Sequence, residues 1–210
     1  MQIISTNISQ PKTVLWRGRN ILTGIYKKPV EEPIYLGKED VENDAVIDRK
    51  HHGGTCKACY LFGADYYDDW QALYPKLNWE WGMFGENLTV AGLDETKLYV
   101  GAVYRLGEAV VQITEPRQPC YKLGIRFGTQ DVLTKFLEYS HSGTYVRILE
   151  EGKVAKGDVF KLEDNGPNNF TIAQYNILIN QKIKDKELIQ LAITNDSIPE
   201  IKRNSLKKHI

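Results

Sequence analysis

In the run Pro116-Arg117-Gln118-Pro119-Cys120-Tyr121-Lys122-Leu123, one cysteine stands in a proline-framed segment between two cationic side chains. Proline fixes φ and supplies no amide donor, so neither a helix interior nor a central strand is expected here, and the cysteine is expected on a loop. Arg117 and Lys122 are placed to favour the thiolate, the form of cysteine that attacks electrophiles or binds soft metals. The competing reading is a buried, inert thiol serving as a small hydrophobe.

A second group with chemical potential is His51-His52-Gly53-Gly54-Thr55-Cys56-Lys57-Ala58-Cys59. His52, Cys56 and Cys59 are zinc-ligand types at short spacing, and His51 can alternate with His52. No fourth ligand lies near with a finger-like spacing, so a redox pair or two ordinary buried thiols stand beside the zinc reading. The two glycines allow close backbone approach to a ligand or simply form a turn. Phe84-Gly85-Glu86-Asn87-Leu88 sets a carboxylate and a carboxamide at the mouth of a strand, where Asn87 can bond a polar ligand edge or finish a turn. The sequence holds no P-loop, no dinucleotide-binding glycine fingerprint ahead of a helix and no Gly-x-Ser-x-Gly elbow, which removes the usual support for nucleotide and serine-hydrolase readings.

The elements that must hold these residues are mostly strands over about 2–165. Thr13–Trp16 and Ile21–Tyr26 flank a turn at Arg17-Gly18-Arg19-Asn20. Val103–Leu106 and Ala109–Thr114 form a second hairpin that leads directly to Cys120, and Thr144–Leu149 and Asp158–Leu162 complete the pattern. Many short strands at this spacing predict a barrel or sandwich. Phe62, Tyr66, Trp70, Leu73 and Tyr74 recur at helical spacing before Pro75, and Val132, Leu133, Phe136 and Leu137 do so before Ser140. After a polar turn cluster at 163–169, capping signatures at Thr171/Gln174 and Ser197/Glu200, with Asp185 between them, predict three helices over about 170–210. We therefore expect a mainly β (α+β) chain: a 1–165 domain and a 170–210 three-helix appendage that packs on it or on a second subunit.

With 27 Lys and Arg against 27 Asp and Glu, the net charge is zero and no global field points to a nucleic-acid polymer as partner. Residues 181–210 hold a modest basic excess, the mark of a solvated helix face. Three cysteines are an odd number for a disulfide framework. Together with the lack of a bilayer-length apolar run or a secretory start, they predict a cytoplasmic protein without membrane attachment.

Taken together, several blocks resemble one family: Trp16-Arg17-Gly18-Arg19, Thr23-Gly24-Ile25-Tyr26-Lys27-Lys28-Pro29-Val30, Asp44 ahead of His52-Gly53-Gly54, Phe84–Leu88, Pro116–Leu123, Gly143 and Gly157-Asp158. The order is similar to that of MOSC-domain proteins, named for the C-terminal domain of molybdenum-cofactor sulfurases, and specifically the stand-alone YiiM-like group. The resemblance implies a β-barrel with peripheral helices that binds the molybdopterin-type molybdenum cofactor, with Cys120 as the molybdenum ligand and catalytic thiol. It implies Lys27 and Arg117 at anionic parts of the cofactor, Asn87 at its polar edge, and Asp44 and His52 shaping the pocket. One departure is local: His-Gly-Gly is usually followed by Pro-Asp, whereas here Thr55-Cys56-Lys57-Ala58-Cys59 follows.

The activity implied is reduction of N-hydroxylated small molecules such as hydroxylaminopurines and hydroxylamines. No iron–sulfur cysteine array or flavin motif is visible, so electrons are expected from a separate reductase. The alternative is a cofactor or sulfur carrier that uses Cys120 as a docking or persulfide thiol without turnover. Substrate identity stays open, and so does a homodimer.

Overall fold

Val103–Leu106 and the almost wholly buried Ala109–Pro116 build the hairpin on which the cysteine segment hangs, and around it the computed structural model describes the backbone of residues 1–210 and the side chains of all but Lys50 and His51. The strands are β1 (Gln2–Ile8), β2 (Lys12–Trp16), β3 (Arg19–Thr23), β4 (Lys28–Val30), β5 (Ile34–Leu36), β6 (Cys59–Gly63), β7 (Leu88–Ala91), β8 (Val103–Leu106), β9 (Ala109–Pro116), β10 (Thr144–Glu150), β11 (Gly152–Val154) and β12 (Lys161–Asp164). The helices are α1 (Arg49–His52), α2 (Tyr67–Leu73), α3 (Tyr121–Phe127), α4 (Asp131–Glu138), α5 (Ile172–Asn180), α6 (Lys186–Thr194) and α7 (Glu200–Lys207). The result is a mixed α+β fold on an eight-stranded sheet, ordered β12-β8-β9-β10-β6-β7-β1-β4. Every pairing in it is antiparallel except β6 with β7.

The expected barrel does not close. Closure would require a ladder between β1 and the strand before or at β12, but the only pairing there is an isolated bridge, Gln2 with Val159. The Ile3 amide donates to the Asp158 carbonyl, and the Gly157 amide to the Ile3 carbonyl. Farther along, Thr6–Ile8 give the same strand to β4. A loop and a short strand thus share the edge that a barrel would need whole.

Both faces of the sheet are covered. Leu61 and Phe62 are neighbours on β6 and point to opposite sides, as strand geometry dictates. Leu61 joins an aliphatic core with Val90, Val111, Ile113 and Val146 that continues into Ile172, Leu178, Ile189 and Ile198 of the C-terminal part. Phe62 joins an aromatic core with Trp70, Phe84, Leu123, Phe127 and Phe136. Its ring stacks on Phe84 with centroids 4.0 Å apart.

The expected helix over 62–74 is therefore split. Phe62 lies in a fully buried strand, and α2 begins at Tyr67, because an aromatic at helical spacing from Tyr66 also satisfies the strand's buried face. Val159 is outside β12, which starts at Lys161. Thr171 and Gln174 form the expected capping box, and Asp185 Oδ1 accepts from the Glu187 and Leu188 amides. Ser197 does not cap α7; Pro199 does, and the Ser197 amide donates to Asn195 Oδ1. No helix among the described residues is long and apolar enough to cross a membrane.

Candidate functional site

Pro116 is the last residue of β9, where the strand can lose an amide donor without breaking its ladder, and four residues later Cys120 stands in extended conformation as the residue before α3. The loop placement expected for Cys120 holds, and the thiol is half-exposed. What sequence reasoning missed is the helix that follows at once: Gly124 and β-branched Ile125 weaken its propensity signal, and Gly128 ends it in the left-handed conformation at φ 72°.

Arg117 is buried against this turn. Its guanidinium donates to the Phe84 carbonyl and lies over the Tyr60 ring, 4.7 Å from the centroid. Its Nε is buried with no hydrogen-bond partner among the described residues. A buried guanidinium with an unsatisfied donor is costly unless something anionic or polar completes it.

The opposite wall comes from the start of the chain. Lys27 Nζ pairs with Asp44 Oδ2, both almost wholly buried. Asp44 Oδ1 also accepts from the Ser9 amide at 2.8 Å and the Ser9 hydroxyl at 3.2 Å. The wall is thin because residue 24 has no side chain: a Cβ there would come within 1.8 Å of the Ala45 carbonyl oxygen. Asn87 Nδ2 donates to Asp44 Oδ2 at 2.9 Å and to the Asn7 carbonyl at 3.3 Å, while its Oδ1 accepts from the Tyr60 amide at 3.2 Å. Its carboxamide is engaged on both sides by the protein and orients Asp44 toward Lys27.

His52 ends α1 and its Nδ1 lies 3.5 Å from the Tyr145 hydroxyl. Burial, helped by the charges of Arg117 and Lys57, lowers its pKa to about 4, so the ring is neutral at physiological pH and offers one donor and one acceptor. Lys122 is half-buried and makes no hydrogen bond or ion pair with the described residues.

Lys27, Asp44, His52, Asn87, Arg117 and Cys120, the six residues singled out from sequence, all border one open cleft of about 640 Å³. Tyr60 and Tyr145 border it too and escaped sequence reading, since in strands they look like core aromatics. A wider space of about 890 Å³ adjoins it, sharing Cys120, His52, Lys122 and Tyr145 and adding Glu115, Gln118 and Tyr121.

The zinc reading of His52, Cys56 and Cys59 is not realised. Cys59 is fully buried in β6, and burial pushes its thiol pKa upward. Cys56 Sγ accepts from Arg147 Nη2 at 3.0 Å instead. No group of three His, Cys, Asp or Glu among the described residues could hold a metal ion, and the side chain of His51 lies outside them.

The donor set of the cleft suits a phosphorylated, metal-bearing anion. One soft sulfur stands beside Arg117 with its unsatisfied Nε and the cationic Lys57 and Lys122.

The MOSC domain model matches residues 48–161. The chain is 36% identical over 208 residues to the uncharacterized protein YflK of Bacillus subtilis, covering 98% of this chain and 93% of that one. It is 32% identical over 148 residues to a protein of Gibberella moniliformis named "Reductase", covering 69% of this chain but only 26% of that longer one. The crystal structure of YiiM from Geobacillus stearothermophilus superposes with a TM-score of 0.82 at 28% identity, covering 99% of this chain and 98% of that one.

Proposed function

Because the chain belongs to the MOSC-domain family, we propose that it binds a molybdopterin-type molybdenum cofactor in the Cys120 cleft and reduces N-hydroxylated small molecules with electrons from a separate reductase. The observation that carries this reading is the half-exposed Cys120 thiol at the rim of a cleft where Arg117 keeps a buried, unpartnered Nε. When bound, the cofactor supplies a two-electron redox centre. Cys120 Sγ is the soft donor that would hold its metal, and Arg117, Lys57 and Lys122 are the cations that would neutralise its phosphate.

The remaining residues set the frame. The Lys27–Asp44 pair cancels its own charge, so it shapes the wall without repelling or attracting an anion strongly. Asn87 holds that pair in orientation. Neutral His52 can hydrogen-bond a hydroxylamine oxygen or nitrogen without adding charge to the cleft. The overall change balances as R–NHOH plus two electrons and two protons giving R–NH2 and water, so a donor protein must supply both electrons.

The test is metal analysis of the full chain purified from cells able to make molybdopterin, beside Cys120→Ser, followed by assay of 6-hydroxylaminopurine reduction with a flavin reductase. Stoichiometric molybdenum in the wild type and its loss in the variant are expected. Full molybdenum occupancy in Cys120→Ser overturns the ligand assignment. Bound cofactor without turnover, together with a persulfide on Cys120 by mass spectrometry, would instead mark the chain as a carrier.

A further inference from the structure

The side chain next to Cys120 is backed by a part of the chain that the reduction described above does not use. β2 and β3 form a two-stranded ribbon separate from the large sheet, joined by Arg17 and Gly18 with φ of 49° and 73°. Such a ribbon is barely stable alone. Its outer face is uncovered, with Leu15 74% and Leu22 47% exposed, so contacts at its ends must fasten it. At its tip Trp16 stacks on Tyr121, with ring centroids 4.8 Å apart and planes inclined by 29°. The Arg17 guanidinium lies 4.6 Å from the centre of the Trp16 ring, and Lys12 Nζ lies 4.3 Å from the centre of the Tyr26 ring.

Tyr121 is not consumed by this contact. Its side chain remains 37% exposed and lines the wider cleft beside Cys120. A ring already fixed on one side loses little freedom when a second ring is laid against it, which is how preorganisation raises affinity. Around it the cleft offers hydrogen-bond acceptors: Gln118 spends its Nε2 on Asn176 Oδ1 at 3.1 Å and keeps its carbonyl oxygen, and Glu115 spends only Oε2 on Lys202. An apolar plane edged by acceptors matches a planar ring carrying N–H groups.

We propose that Tyr121, buttressed by Trp16, is the stacking surface for a planar heteroaromatic substrate, so that purine-type N-hydroxylated bases are favoured over aliphatic hydroxylamines. The preference among substrates rests on the reductase reading, whereas binding of the ring does not. An aliphatic hydroxylamine has no face to lay on Tyr121 and gains nothing from it.

The experiment measures binding of adenine and of 6-hydroxylaminopurine by titration calorimetry on the full chain purified from cells that make molybdopterin, and KM for 6-hydroxylaminopurine and N-methylhydroxylamine where turnover is seen. Trp16→Leu and Tyr121→Leu are expected to weaken purine binding by on the order of tenfold, the usual size of a lost base–aromatic stack. Tyr121→Phe restores it, and N-methylhydroxylamine is unaffected throughout. Trp16 sits on an exposed ribbon, so Trp16→Leu carries the test if Tyr121→Leu fails to fold. Absence of saturable purine binding in the wild type, or purine binding unchanged in the leucine variants, or an equal loss for N-methylhydroxylamine, overturns the proposal. A chain that binds purines through Tyr121 yet holds no molybdenum would leave the stacking surface standing and remove the reductase reading.

Discussion

His141 and His52 answer acid in opposite directions. Glu95 is wholly buried; its Oε1 accepts from the Gly143 amide and its Oε2 lies 2.8 Å from His141 Nδ1. That hydrogen bond, reinforced by the charges of Glu95, Asp94 and Asp69, raises the pKa of His141 above 6.5. Its stabilising contribution is therefore complete below pH 6.5 and is lost as pH rises through the raised folded value. His52 is the reverse case, with a folded pKa of about 4, so the unfolded chain takes up its proton first and stability falls as pH drops from 6.5 toward 4. Melting curves between about pH 5 and about pH 8 should show His141→Gln flattening the alkaline side and His52→Gln flattening the acid side. Curves parallel to the wild type would refute both assignments. The same scale shows what the sequence could convey. Cys120 and Arg117 announced themselves by type and by their neighbours, Lys27 only through the family resemblance, and all three border one cleft. Asn87 also reached it, but its partners come from residues 7, 44 and 60, a coincidence of three distant segments that no local pattern encodes.

The turn from Phe84 to Asn87 was legible as a turn but not as the clamp it is. Gly85 has φ 78°, which brings the buried Glu86 carboxylate under its own loop. Four donors converge on it: the Tyr67 and Thr89 hydroxyls and the Gly82 and Phe84 amides. Burial raises the Glu86 pKa and this ring of donors opposes the rise. A carboxylate accepts only, whereas an amide would turn an NH2 toward donors that have no other partner. Glu86→Gln should therefore cost about 2–3 kcal/mol by urea unfolding, the penalty of unmet buried donors. A loss below about 0.5 kcal/mol, the level of an ordinary surface substitution, would show that the loop does not depend on the charge. Other elements were misread for physical reasons. α2 starts late because Phe62 serves the strand, and α3 was hidden by the prolines ahead of it. Ser197 yields the cap of α7 to Pro199 because the Ser197 amide is already bonded to Asn195 Oδ1.

At the scale of the whole molecule, the barrel expectation failed where two segments compete for one edge of β1, while two of the three C-terminal helices were legible from their caps and the third formed without the cap expected of Ser197. Their caps could not say how deeply they are built in. Phe170, Ile172, Tyr175, Leu178, Ile189 and Ile198 belong to the same apolar core as Val111 and Ile113 of the sheet and Val100 in the turn ahead of β8. The Val100 amide donates to the Phe170 carbonyl at 2.8 Å, and Asn195 Nδ2 donates to the Val100 carbonyl at 2.9 Å. Gln118 and Glu115, which flank Cys120, are tied to Asn176 and Lys202 of the same segment. Fully burying one large apolar side chain contributes about 1.5–3 kcal/mol. Removing six takes away as much as the roughly 5–15 kcal/mol by which a domain is stable at all. A chain cut after residue 168 should therefore be aggregated or unfolded, whereas Lys202→Ala in the full chain should fold normally, because that pair is partly exposed. Circular dichroism and gel filtration decide it. A soluble 1–168 fragment with a cooperative melt would mean that the helices are an appendage after all, and that the sheet alone can hold the Cys120 turn in place.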